Sequence, residues 1–133
     1  MVAAAGTLPW AAPRPLPADL DLGPGLDPDR LLQALQRLAL APGVLALVAF
    51  GSRGRGDAWP DSDLDLAVIC REGTLTSSTK AERWYAYRQT LGPLGCGVDL
   101  VVVGFEDAGR LAGSRWHVLG DVAREGQVLY VSG

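Results

Sequence analysis

Three aspartates and a glycine–serine pair are the residues whose types and spacing can do chemistry. The stretch GSRGRGDAWPDSDLD runs from Gly51 to Asp65 and closes on aspartates at alternate positions, Asp61, Asp63 and Asp65. On a strand, residues i and i+2 share a face and lie ~6.5–7 Å apart along the backbone. Asp63 and Asp65 are therefore expected on one side, with Leu64, Leu66 and Val68 on the other. Two carboxylates brought to ~4 Å near a surface repel by about 4 kcal/mol at an effective dielectric of 20. A solvated pair splays apart. A converging pair needs a cation, and hard Mg2+ or Mn2+ suits carboxylate oxygen. A third carboxylate, Asp99, stands one residue into the apolar run VDLVVV. If that run neighbours the strand of Asp63 and Asp65, at the ~4.8 Å inter-strand spacing, Asp99 joins the same metal site. Its task there would be to orient or deprotonate an attacking hydroxyl. Two metal ions ~3.5–4 Å apart would clamp the attacking and leaving oxygens of a phosphoryl displacement.

Gly51 and Ser52 stand where an apolar run ends. Glycine lets the backbone approach a ligand closely, and serine is a good helix N-cap. Residues 53–56 would then form a short first turn whose unpaired N–H groups favour a phosphate. Arg53 and Arg55 add positive charge beside it. No Gly-Lys-Ser/Thr follows, so the loop is not a Walker loop.

Rival readings exist. Glycine–serine before a helix is often ordinary capping, and Asp61 and Asp63 can be turn residues with Asp99 a charge at a strand start. Asp61, Asp63, Asp65 and Glu72 also occupy positions 1, 3, 5 and 12 of a calcium loop. Position 6 of that loop needs glycine for a sharp turn, and here it is Leu66 at the head of the strand-like LAVIC. Asp61 reads as part of the loop that aims Asp63. The single histidine, His117, reads as surface or packing, and Asp107 and Asp121 as solvated helix residues. Lys80, Arg83 and Arg88 read as a basic helix face, with a nucleotide or partner contact as the alternative.

The elements that must position these groups follow from pattern. Asp27 before Pro28 is an N-cap with proline at the first helical position. Leu31, Leu32, Leu35 and Leu38 then predict an amphipathic helix to about Leu40. Strands are expected over 44–50, 63–70, 97–103 and 126–131, and helices over 78–91, near 105–112 and near 115–124. Trp84, Tyr87 and Leu91 share one helix face and read as packing. Strands alternating with helices predict an α/β (α+β) sandwich with a mixed sheet of about four strands. Residues 1–25 carry Pro9, Pro13, Pro15, Pro17 and Pro24, which sustain neither helix nor central strand. They read as an extended N-terminal arm anchored by Trp10 and Leu16, with the folded domain over 26–133.

A chain of 133 residues predicts one domain with a core sufficient for independent stability. With 12 basic and 15 acidic residues and a net charge of −3, it lacks the basic footprint of non-specific nucleic-acid binding. Cys70 and Cys96 lack metal-ligand spacing and read as buried free thiols. No signal peptide is read at the start and no ~20-residue apolar span is present, so a cytoplasmic, membrane-free protein is expected.

Gly51-Ser52, the ten residues 53–62, Asp63-Leu64-Asp65 and a third aspartate, Asp99, on a later strand together resemble the signature of the DNA polymerase beta-like nucleotidyltransferase superfamily. The runs GSRGRGDAWPDSDLDLAV and VAREGQVLY resemble its small prokaryotic branch, the minimal nucleotidyltransferases. The resemblance covers about residues 28–131. It implies the polymerase beta-like fold, with Gly51 and Ser52 holding the triphosphate, Asp63 and Asp65 binding Mg2+, and Asp99 completing the metal site and activating the acceptor. Arg53 and Arg55 would be phosphate or acceptor contacts. It implies transfer of a nucleoside monophosphate from ATP or another nucleoside triphosphate, with release of pyrophosphate. Members of this branch often pair with a HEPN-domain toxin, a ribonuclease, and as antitoxins attach AMP to a tyrosine near its active site. About 30 residues follow the third strand, which fits an acceptor supplied by a partner rather than by a second domain. Two alternatives stay open: a non-catalytic antitoxin that blocks its toxin by contact, and a transferase acting on a small-molecule hydroxyl. The arm, Trp84 and Tyr87 are candidates for homo-oligomeric or hetero-oligomeric contact.

Overall fold

The computed structural model describes residues 8–133. Helix α1 spans Pro28–Ala39, with the Asp27 carboxylate accepting from the N–H of Asp29 at 3.0 Å. Its buried residues Leu31, Ala34, Leu35 and Leu38 recur at the 3- and 4-residue spacing of one helix face. Strand β1 (Val44–Phe50) leads into a short helix α2 (Gly51–Arg55), then strand β2 (Leu64–Cys70). Helix α3 (Ser77–Leu91), capped by Thr76, leads to strand β3 (Val98–Gly104). Helices α4 (Phe105–Leu111) and α5 (Val118–Glu125) precede strand β4 (Gln127–Val131). These elements lie within a residue or three of their expected bounds.

The four strands form one mixed sheet in the order β3-β2-β1-β4, with β1 antiparallel to both β2 and β4, and β2 parallel to β3. Both faces are covered, so β1 and β2 are almost continuously apolar and buried. One face carries Leu47, Ala49, Leu64, Leu66, Val68 and Val102 into a core shared with Leu35, Tyr87 and Leu91. The other carries Val48, Phe50, Ala67, Ile69 and Val103 against Ala108, Leu119 and Val122 of α4 and α5.

The proline-rich segment takes part in both cores. Trp10 is buried with the second cluster, while Leu20 and Leu22 are buried in the first and Leu16 packs against it. Between them Arg14 pairs with Val131 of the outer strand β4 through hydrogen bonds of 2.9 and 2.8 Å. Residues 8–22 thus pass around an open sheet edge and satisfy part of it. Residues 1–7 of the expected arm lie outside the described residues. At the opposite edge the Trp84 indole N–H donates to the Leu100 carbonyl of β3 at 3.2 Å. Among the described residues no helix is long and apolar enough to cross a membrane.

Candidate active site

The parallel pairing of β2 with β3 sets Asp65 opposite Asp99, and the antiparallel pairing sets Phe50 opposite Asp65. Phe50, Asp65 and Asp99 therefore form one row at a single end of the sheet. Gly51 follows Phe50 at once, with φ +63°, a conformation that side chains with a Cβ resist. A Cβ at Gly51 would also collide with the Asp65 carboxylate. The glycine turn and the carboxylate thus occupy adjoining space, which sequence spacing alone leaves undetermined. Phe50, not Ser52, takes the cap position of α2, and Ser52 lies inside the helix, its carbonyl accepting from the N–H groups of Gly56 and Asp57 at 3.0 Å each.

Asp63 is exposed and just precedes β2, where Leu64 N–H donates to the Gly97 carbonyl at 2.8 Å. A Cβ at Gly97 would strike the Asp63 carboxylate. Gly97 is thus a site residue the sequence reading missed; its one signal was a glycine directly before the strand of Asp99. Burial pushes the Asp65 carboxyl above its ordinary range, as do the charge and close contact of Asp99 and the charge of Asp63. The nearby charge of Arg55 opposes the shift. Clustered like charges of this kind mark functional sites more often than structural ones.

Among the described residues, no three His, Cys, Asp or Glu side chains converge enough to hold one ion. Asp63 lies against Gly97, while Asp65 faces Gly51 and Asp99. The donors are all hard carboxylate oxygens beside a glycine turn, a chemistry that fits Mg2+ or Mn2+.

The two arginines part company. Arg53 is corrected from a phosphate contact to a buried tie: it is 1% exposed, and its guanidinium donates to the carbonyls of Leu22, Pro24, Trp59 and Ser62. The reason is packing, since an N–H fork already filled by carbonyls has little left for a ligand. Arg55 is exposed, pairs with Asp57 and Glu125 at 3.3 and 3.0 Å, and keeps electrostatic reach to Asp65.

The remaining polar residues have local duties. His117 is exposed and caps α5, its Nδ1 accepting from Leu119 N–H at 3.1 Å. Arg83 pairs with Glu72, Arg88 donates to the Gly92 carbonyl, and Asp121 pairs with Arg124. Asp107 is half-buried rather than fully solvated, accepting from Thr74 and Arg110. Both cysteines are free, Cys70 buried and Cys96 half-buried. Residues 66–70, which a calcium loop would need as a turn, are strand. A cleft of about 410 Å3 begins one residue beyond Asp99, lined by Leu100 to Val103, Trp84, Lys80, Arg110 and His117.

No match is found among curated proteins. A toxin-antitoxin structure with AMP-PNP is 22% identical, covering 78% of this chain and 73% of that one, with a TM-score of 0.47. A protein from Sulfolobus solfataricus, provisionally assigned to the nucleotidyltransferases, is 16% identical over 82% and 93% of the two chains, TM-score 0.48. A mutant of the toxin-antitoxin MntA-HpeT is 22% identical over 80% and 74%, TM-score 0.48. These are distant likenesses, and the assignment rests on sequence instead. The profile of the family described as polymerase beta, nucleotidyltransferase matches residues 33–130, a span holding the glycine turn and all three aspartates. The chain belongs to the polymerase beta nucleotidyltransferase family.

Proposed function

We propose that this protein is a Mg2+-dependent nucleotidyltransferase that moves AMP from ATP to a tyrosine hydroxyl of a HEPN-domain toxin, and so acts as a cytoplasmic antitoxin. One observation carries the reading: Asp63, Asp65 and Asp99 gather at one end of β2 and β3, beside the Gly51 turn. Gly51 and Ser52 hold the triphosphate, which approaches a turn where Gly51 presents no Cβ of its own. Asp63 and Asp65 hold the divalent cation, with Asp99 completing its ligands. A cation bound there supplies charge neutralisation to the phosphoryl oxygens and to the departing pyrophosphate.

Asp99 is exposed on β3, the outer strand, where an incoming acceptor can reach it. It takes the proton of the attacking hydroxyl. The acceptor oxygen then bonds the α-phosphorus as the bond to pyrophosphate breaks. The cleft along β3 offers the acceptor segment a seat. Arg55 draws phosphate toward the site by its charge. The resemblance to minimal nucleotidyltransferases supports the choice of acceptor.

The test is incubation with labelled ATP, Mg2+ and the candidate toxin. Label should pass to the toxin with the wild type and fall to background with the Asp63→Asn/Asp65→Asn variant. Equal labelling by both would sink the enzymatic reading. The alternative is an antitoxin acting by contact alone. In that version the double variant protects cells from the toxin as fully as the wild type.

A further inference from the structure

We infer that Arg53 is a positioning residue, which sets the distance between the Gly51–Ser52 turn and Asp63 and ties both to the segment Leu20–Gly25. This rests on the transferase reading above but concerns a residue and a segment that reading leaves idle.

Arg53 is the one buried charged side chain among the described residues, and no carboxylate pairs with it. Its charge is met by carbonyl dipoles. Nε and Nη2 donate to the Ser62 carbonyl at 3.1 and 2.8 Å, and Nη2 reaches Trp59 O at 3.5 Å. Nη1 donates to Leu22 O at 2.9 Å and Pro24 O at 3.0 Å. Burying a charge is costly, and an apolar side chain of similar volume often serves stability as well or better. What an apolar residue cannot do is hold three separate segments in one plane. The rigid guanidinium fork can, whereas a lysine ammonium is a single point on a flexible stem.

Two of the three segments belong to the site, and the third packs against the loop that joins them. Arg53 itself lies in the turn of helix that begins at Gly51. The Ser62 carbonyl belongs to the peptide that enters Asp63. The turn before it is closed by Ser62 N–H to Trp59 O at 3.0 Å and by Trp59 N–H to Ser62 Oγ at 2.9 Å. On the far side, Gly25 has φ +92°, and a Cβ there would collide with the backbone of Pro60. Leu20 and Leu22 anchor that segment in the core. The fork therefore links the phosphate turn, the entry to Asp63 and the proline-rich segment through backbone atoms alone. Displacement of a reacting group by ~1 Å can cost about 100-fold in rate, so a residue that fixes this spacing acts on turnover more than on ground-state binding.

The test compares Arg53→Lys with Leu38→Ala, a core variant in α1 away from the site, at matched thermal stability. Arg53→Lys should lose about 10–100-fold in kcat for AMP transfer with KM for ATP within about threefold, while Leu38→Ala stays near wild type. Amide hydrogen exchange over 57–65 and 20–26 should quicken in Arg53→Lys alone. Gly25→Ala, which pushes on Pro60 and leaves Arg53 in place, should lower kcat by about 3–10-fold and decides the matter if Arg53→Lys does not fold. A kcat for Arg53→Lys equal to that of the matched control, or unchanged exchange over 57–65, overturns the proposal. Full turnover by Gly25→Ala overturns the part assigned to Leu20–Gly25. Should the wild type transfer no AMP at all, the transferase reading falls, and the exchange comparison still decides whether Arg53 holds these segments.

Discussion

The two ends of strand β2 hold acidic groups in opposite conditions. Beyond Cys70, the Glu72 carboxylate forms a two-point pair with Arg83, chiefly a hydrogen-bonded contact, which draws its pKa down to about 2. There the Tyr87 hydroxyl donates to Pro42 O at 2.7 Å and lies 3.5 Å from the Cys70 thiol, its pKa raised mainly by burial. At the other end Asp65 faces Asp99 and Asp63, and burial and their charge raise its pKa. One end supplies each acid with a partner from within the chain. The other gathers carboxylates and leaves their charge for something else to neutralise. Local rules are satisfied where only stability is at stake and broken where a ligand is expected to complete the arrangement.

The largest break in this comparison should come from Asp65→Asn. On the proposed function, transfer activity should fall by about 1,000-fold or more in a labelled-ATP assay, because the amide would remove a cation ligand. The same change should raise the melting temperature of the metal-free protein by about 1–3 °C, since it removes repulsion that solvent already screens in part. A stability loss instead would mean that the Asp65 charge is compensated. Next in size is Gly51→Ala. It forces a side chain into φ +63° and against Asp65, and should cost about 1–3 kcal/mol in denaturant unfolding along with most activity.

The pH response should separate the two ends. Asp65 has its folded pKa raised above the ordinary 3.8, so its penalty is absent below that value and grows as pH rises through the folded pKa. Glu72 runs the other way: its contribution is full above the ordinary 4.5 and is lost as pH falls through about 2. Melting curves of Asp65→Asn and Glu72→Gln between pH 3 and 7 should therefore both part from wild type toward pH 7 and approach it toward pH 3, with Asp65→Asn above wild type and Glu72→Gln below it. Adding Mg2+ at pH 7 should stabilise wild type and leave Asp65→Asn unmoved. The smallest effect is that of Glu72→Gln itself at pH 7, a drop of about 1 °C or less, as befits an exposed pair.

Much of the fold was legible because its signals are local. Asp27-Pro28 and the leucine spacing mark α1, and the apolar runs mark β1 and β2 within a residue. Asp63, Asp65 and Asp99 stood out because charges at strand starts break an apolar pattern. Ser52 misled as a cap because the helix begins two residues sooner, at Gly51, with Phe50 in the cap position. Arg53 misled for a different reason. Its partners are backbone carbonyls 6, 9, 29 and 31 residues away, and a carbonyl has no letter of its own in a sequence.

By itself the sequence determined residue chemistry and period: which groups are acidic, which stretches turn, and which face of each element is apolar. Those properties belong to single residues and their near neighbours, and no folding is needed to read them. Only the tertiary structure decided that Asp65 stands in register with Asp99, that Gly51 and Gly97 leave room for carboxylates, and that Arg53 turns inward. Each of these depends on strand order and on packing between distant segments. A shift of one residue in register would send every side chain of a strand to the opposite face.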